Sequence, residues 1–269
     1  MSAVPESAGE TPPPVLRDQP EAGIVRLTLN RPHAYNSLST GLMTALQAEL
    51  DRIRADGRIR AVILAAAGPG FCAGHDLKEI RANPGRQHYE ALFRQCSLLM
   101  QSIVALPQPV IARVHGTATA AGCQLVASCD LAVAAETARF GTPGVNIGLF
   151  CSTPMVALSR NVPRKQAMEM LLTGELVPAD RAAEIGLINR AVPEAALDGE
   201  VLRLAQLIAS KSSLTVKTGK EAFYRQIELP LAQAYDYASR VMTENMLARD
   251  AEEGIDAFIE KRQPTWEGR

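Results

Sequence analysis

Ala61-Val62-Ile63-Leu64 runs into Gly68-Pro69-Gly70-Phe71-Cys72-Ala73-Gly74-His75-Asp76-Leu77, so a continuous apolar segment empties into a glycine-rich turn. Four apolar residues with no polar alternate suit a strand buried on both faces, as in a parallel sheet covered by helices. Upstream, Ile24-Val25-Arg26-Leu27-Thr28-Leu29 alternates and is β-branched, which reads as a strand broken by Asn30-Arg31-Pro32. Ser39 then caps a helix carrying Leu42, Leu46, Leu50 and Ile53 on one stripe, ended by Gly57. Downstream, Leu92, Cys96, Leu99, Ile103 and Leu106 form another stripe, stopped by Pro107 and Pro109. Val110-Ile111-Ala112-Arg113-Val114 is the next strand. A second small-residue turn, Thr117 to Gly122, opens a helix through about Ser128, and Asp130 to Ala134 follows as a strand. From Thr153 onward the pattern is helical, with strand character only around Ile188 to Val192. Alternating elements followed by helices predict an α/β core and a helical C-terminal region. The expected organisation is a flexible tail over 1–22, a core over 23–195 and a helical region over 196–269. No internal repeat is visible.

The 269 residues are 47% apolar and 21% charged, an ordinary globular balance. Lys+Arg is 28 and Asp+Glu is 29, so there is no basic excess of the kind a nucleic-acid binder carries. No stretch approaches the ~20 apolar residues of a membrane span. Cys72, Cys96, Cys123, Cys129 and Cys151 are odd in number and lie in apolar segments, without a CxxC pair. The four histidines (His33, His75, His88, His115) show no HxxxH spacing. Reduced, buried thiols, no metal site and a cytoplasmic location are the expectation. The first 22 residues have no apolar signal core, and their acids with the lone Arg17 argue against a transit peptide.

Both small-residue turns follow a buried strand. The first has GxGxxxG spacing, a weak match to a dinucleotide turn. Gly70-Phe71-Cys72-Ala73-Gly74 also fits a cysteine version of the nucleophile elbow, but that fold needs a histidine late in the chain and the last one here is His115. A plain tight turn remains open, as does a third reading in which the Ala73 N–H donates to a carbonyl oxygen. In the second turn, the helix start leaves N–H groups unpaired, and Ala121 is placed to offer one. Two such donors on one oxygen would form an oxyanion hole. Close helix–strand packing needs the same small residues.

The chain resembles the crotonase (enoyl-CoA hydratase/isomerase) superfamily. The resemblance rests on Asn30-Arg31-Pro32 with Asn36-Ser37-Leu38, Gly70 to Leu77, Val114-His115-Gly116 through Gly122-Cys123-Gln124-Leu125, Cys129-Asp130, Phe140-Gly141-Thr142-Pro143, and Gly254-Ile255 with Ala257 to Arg262. These occur in the family's order over residues 24 to 266. The resemblance implies a spiral of ββα turns and a homotrimer or dimer of trimers. It implies a lyase or isomerase of fatty-acid metabolism whose substrate is an acyl-CoA or enoyl-CoA thioester. Coenzyme A would arrive as part of that substrate, with no covalently bound cofactor and no nucleic-acid or membrane partner. The enolate would be held by the N–H groups of Ala73 and Ala121. Tyr35, His75, Asp76, Leu77, Lys78 and Ser152 would line the substrate. Phe258 and Lys261 would reach its adenine–phosphate end, often from a neighbouring subunit.

The departures from the family are chemical. Its two catalytic glutamates correspond to Gln124 and Gly144, and Ser152 stands where some members place an aspartate. Gln124 can hydrogen-bond but not ionise in the working range. Hydration is therefore expected to be weak, leaving isomerisation, decarboxylation or simple acyl-CoA binding open. Restoring both glutamates is expected to raise hydration, and Ala121→Pro to remove one donor while leaving the fold. His75 reads either as a substitute base or as a residue facing the CoA. Asp76 and Asp130 read as structural.

Overall fold

Side chains of the central strands divide between two cores by parity. The structure is a computed structural model and describes residues 12–269. Its strands are β1 (Val15–Glu21), β2 (Ile24–Leu29), β3 (Ala61–Ala66), β4 (Val110–Val114), β5 (Ala118–Thr119), β6 (Leu131–Ala135), β7 (Arg139–Gly141), β8 (Val177–Pro178) and β9 (Arg190–Val192). Its helices are α1 (Thr40–Ala55), α2 (Leu77–Ala82), α3 (Arg86–Val104), α4 (Ala121–Ser128), α5 (Pro154–Asn161), α6 (Arg164–Thr173), α7 (Ala179–Glu184), α8 (Leu197–Ala209), α9 (Ser213–Gln226), α10 (Leu231–Met246) and α11 (Arg249–Glu260). The main sheet runs β1-β2-β3-β4-β6-β9, antiparallel for β1 against β2 and parallel beyond. Val62, Leu64, Ala112 and Val114 face the larger core. Ala61, Ile63, Ile111 and Val133 face the other way, onto Leu197, Val201 and Leu204 of α8. Successive strand residues point to opposite faces. A sheet covered on both sides therefore needs apolar residues at every position, and β3 is buried throughout.

A smaller sheet, β5-β7-β8, and a parallel bridge from Cys72 to Ala118 complete the architecture. The chain climbs in three similar turns: β3 and Cys72 followed by α2 and α3, β4 and β5 followed by α4, β6 and β7 followed by α5. This is the expected α/β spiral. It is also a structural repeat that the sequence hides, because β5 and β7 span two and three residues and are too short for periodicity.

The expected tail over 1–22 needs correction. Val15–Glu21 pairs with β2, from Val15 opposite Leu29 to Glu21 opposite Ile24. Pro20 and the charges of Arg17, Asp18 and Glu21 disguise it, yet an edge strand bonded on one side carries such residues readily. Residues 1–11, with the readings made on them, lie outside the described residues.

Asp130 is structural, as expected. Its carboxylate accepts from the Val110 N–H (2.7 Å), Lys220 Nζ (2.6 Å) and the Tyr224 hydroxyl (3.0 Å), while Lys220 also reaches the Ile103 and Gln108 carbonyls. Burial pushes the Asp130 carboxyl up and the Lys220 ammonium down, and each charge opposes the shift of the other. The knot ties α9 to the core. Beyond it, α9 and α10 pack on each other without one buried residue.

The C-terminal segment is fastened by Glu253, which accepts from Arg262 (2.6 and 2.9 Å) and the Thr265 N–H (2.7 Å). Trp266, the single tryptophan, donates to the Ser210 carbonyl at 2.9 Å. The Arg262 guanidinium, then the Thr265 amide, hold the Glu253 carboxyl at about 2. The unfolded value is about 4.3. This fastening is thus fully present above about pH 4.3 and is lost as pH falls toward about 2. Trp266 fluorescence is expected to change across that window on acidification. Arg262→Ala moves the change to higher pH, and an unmoved profile would contradict the assignment.

Candidate active site

The two glycine-bearing turns lie against each other. The Phe71 and Cys72 N–H groups donate to the Thr117 carbonyl (3.0 and 3.2 Å), and the Thr119 N–H returns to the Cys72 carbonyl at 2.9 Å. A Cβ at Gly122 would sit 2.0 Å from that same Cys72 oxygen, so only glycine lets α4 begin so close to the first turn. At Gly74, with φ +92°, a Cβ would lie 2.9 Å from Ala120 Cβ and 3.3 Å from the Ala121 nitrogen.

The spiral explains why two amides share this place. Cys72 and Ala118 face each other across the bridge. Three residues on from each come His75 and Ala121, equivalent positions in adjacent turns. Neither backbone N–H has a hydrogen-bond partner among the described residues. Ala121 opens a helix, whose dipole adds positive potential at the amide. The third turn places Pro143 three residues after Phe140, which pairs with Ala118. Proline has no N–H, so that turn has no amide donor at the equivalent place. Ala120, before the second donor, holds φ 50° and ψ −119°, an uncommon conformation for a residue with a side chain.

Ala73, the donor expected from the sequence, is not available. Its N–H donates to the Tyr35 carbonyl at 3.0 Å, whereas the His75 N–H of the same turn has no acceptor among the described residues. The difference arises from the segment beneath, where Tyr35 and Asn36 both take positive φ (49° and 53°). Asn36 is fully buried. Its Oδ1 accepts from the Arg31 N–H (2.8 Å), and its Nδ2 donates to the Ala67 and Gly70 carbonyls (2.8 and 3.0 Å). Its own carbonyl accepts from the Cys72 thiol at 3.2 Å. This residue sets the first turn, yet sequence reading finds it only as part of a family marker. Its local signal, an asparagine soon after Asn30-Arg31-Pro32, gains meaning once the left-handed backbone is seen.

The other expected residues are distributed unevenly. Gln124 is on α4, 4% exposed, with Oε1 4.0 Å from the Cys96 sulfur of α3. Gly144 has no room for a side chain, because a Cβ would meet the Leu149 carbonyl at 2.4 Å and Cys151 Sγ at 2.8 Å. Ser152 is exposed, and its hydroxyl turns to the Phe150 carbonyl (3.3 Å). Asp76 is occupied as a cap: it accepts from the Lys78 and Glu79 N–H groups (3.1 and 3.3 Å) and pairs with Arg31 at 3.0 Å. These contacts fix the carboxylate one residue after His75. Tyr35, Leu77 and Lys78 are exposed beside the turn. Phe258, 85% exposed, and Lys261 belong to the end of α11, which packs on α10. Burial pushes the Cys72, Cys96 and Cys123 thiols up to about 12, which leaves no thiolate for the nucleophile reading. Two hollows of about 210 Å³ lie elsewhere and include no residue of the two turns. One is lined by Arg54, Arg60, Lys211 and Lys217, the other by Met170, Leu176 and Arg181.

A family model described as enoyl-CoA hydratase/isomerase matches residues 19–269. A Rattus norvegicus protein named enoyl-CoA hydratase domain-containing protein 3, mitochondrial, is 46% identical over 257 residues, covering 96% of this chain and 86% of the rat protein. The Homo sapiens protein of that name is 48% identical over 244 residues, 91% and 80% of the two chains. A crystal structure of enoyl-CoA hydratase from Mycobacterium smegmatis matches with TM-score 0.93 and 55% identity, covering 94% of this chain and 99% of that one. The crystal structure of human enoyl-CoA hydratase domain-containing protein 3 gives 0.91 and 47%, covering 94% and 100%. The word mitochondrial in these relatives' names overturns the cytoplasmic expectation. Free, buried thiols are compatible with more than one compartment. With the match spanning nearly its whole length, relatives close to half identical and a shared spiral fold, this chain belongs to the enoyl-CoA hydratase/isomerase family and has the crotonase fold.

Proposed function

We propose that this protein binds an acyl-CoA thioester and stabilises its enolate with the N–H groups of His75 and Ala121, in a reaction that does not add water. The observation that carries this reading is the pair of unpartnered amides at equivalent positions of adjacent turns. Donors fixed in advance around developing charge need no reorganisation during the reaction. Hydration also needs groups that activate water, and here Gln124 cannot ionise while the 144–151 segment folds into the space of a side chain at Gly144. Isomerisation or decarboxylation, which pass through an enolate, fit the donor set better. The unburied apolar face of α9 and α10, with Phe223, Ile227, Leu231, Tyr235 and Met242 exposed, supports a homotrimer in which Phe258 and Lys261 reach a neighbour's substrate.

The test is calorimetric binding of butyryl-CoA together with crotonyl-CoA hydration. Binding is expected, with hydration at least about 10²-fold below that of a family member holding both glutamates. Gln124→Glu raises hydration. Adding Gly144→Glu gives no further gain and lowers stability by about 1–3 kcal/mol, because Leu149 and Cys151 must move. The crowding at Gly144 narrows the expected gain of the double change to the part that Gln124→Glu supplies. Fast hydration by the double variant would contradict the account, and absent binding would remove it.

A further inference from the structure

We infer that the imidazole of His75 is the proton-transfer group of this site, standing in for the absent carboxylates. The inference rests on the reading that a thioester oxygen sits at the His75 and Ala121 amides. The imidazole belongs to the same residue whose N–H would hold that oxygen, so ring and thioester share one position of the turn, and the α-carbon is two bonds from the oxygen.

The surroundings of the ring support this role. It meets Phe93 of α3 edge-on, with centroids 5.5 Å apart at 76°. Phe93 and Cys96 lie three residues apart, on one face of that helix, and Cys96 is the residue that touches Gln124. One helical turn thus backs both the imidazole and the Gln124 amide. Neither buried ring nitrogen makes a hydrogen bond of full geometry among the described residues, and the polar group of the chain that lies against the ring is the Leu38 backbone, which favours the charged imidazole. Buried polar atoms are nearly always paired; with the Leu38 backbone able to engage one ring nitrogen, the other is left beside two open amides and is available to a ligand. The carboxylate that faces the ring, Glu79 of α2, is itself bonded to the Thr40 N–H at 3.0 Å. From α3 the ring meets the neutral Phe93. Burial holds the imidazole below its ordinary value, so it is neutral at pH 7 with one lone pair free.

The step balances without a co-reactant. The imidazole takes the α-proton, the C–H electron pair becomes the enolate, and its charge is held on the oxygen by the two amides. The imidazolium then returns the proton to the α-carbon, or to the γ-carbon of an unsaturated chain.

The experiment follows deuterium uptake at the α-carbon of butyryl-CoA in D2O, with the infrared carbonyl band of bound carbonyl-¹³C butyryl-CoA measured alongside. His75→Gln and His75→Asn both keep the main-chain N–H. Exchange is expected to fall about 10²–10⁴-fold in both, while the carbonyl band stays shifted as in the wild type. Exchange within threefold of wild type in either variant, or no wild-type exchange above the solvent background, overturns the inference and leaves the amide reading intact. An unshifted wild-type band would instead defeat that reading, and the inference with it.

Discussion

An ester oxygen in place of the Ala121 N–H lowers enolate-dependent turnover about 10²–10³-fold, the loss of about 2.7–4 kcal/mol that follows removal of one oxyanion donor. Incorporating lactic acid for Ala121 makes this change and leaves the side chain in place. Ala121→Pro, attractive from the sequence, is the poorer tool. A proline forces the preceding residue toward extended backbone, and Ala120 sits at φ 50°. The same ester change at Ala73 is the control. That N–H is bonded to Tyr35, so its loss costs stability and leaves turnover within a few-fold. The measurement is deuterium exchange into butyryl-CoA. Equal losses at both positions would show that the turn, and not the free amide, matters.

Asp130→Ala is expected to reduce unfolding free energy by about 3–5 kcal/mol in urea titrations, the usual consequence of stranding a buried partner charge. The Lys220 side chain is 7% exposed and would keep its ammonium without a counter-ion. The Val110 N–H and Tyr224 hydroxyl would also lose their acceptor. Tyr224→Phe, which removes one hydrogen bond, costs about 1 kcal/mol. Adding Lys220→Met to Asp130→Ala recovers part of the loss, since no charge is then stranded. A loss under about 1 kcal/mol for Asp130→Ala would contradict the placement of this knot.

Legibility in the sequence followed the range of the interactions. The α1 stripe beneath Ser39 and the unbroken apolar β3 are local patterns, and the structure reproduces both. Strand β1 was hidden because an edge strand tolerates Pro20 and charge, and β5 and β7 because bridges of two or three residues have no period. In the site, the two small-residue turns and the neutral residues Gln124 and Gly144 are visible as residue types. Which amide is free is not. That depends on the Tyr35 carbonyl and on Asn36 beneath the turn, both placed by left-handed backbone that no pattern in the Gly68–Leu77 stretch encodes. The crowding at Gly144 likewise depends on how 145–151 folds back, which its own residue type does not reveal.

The most direct test is the infrared carbonyl band of carbonyl-¹³C butyryl-CoA bound to the intact protein, to its Ala121 ester and to its Ala73 ester. Hydrogen bonds weaken a C=O bond. The bound thioester is therefore expected to show a band below that of the free thioester, moved back toward the free value by the ester at Ala121 and unmoved by the ester at Ala73. A band at the free-thioester position in the unmodified protein, or one that responds alike to both esters, would contradict it.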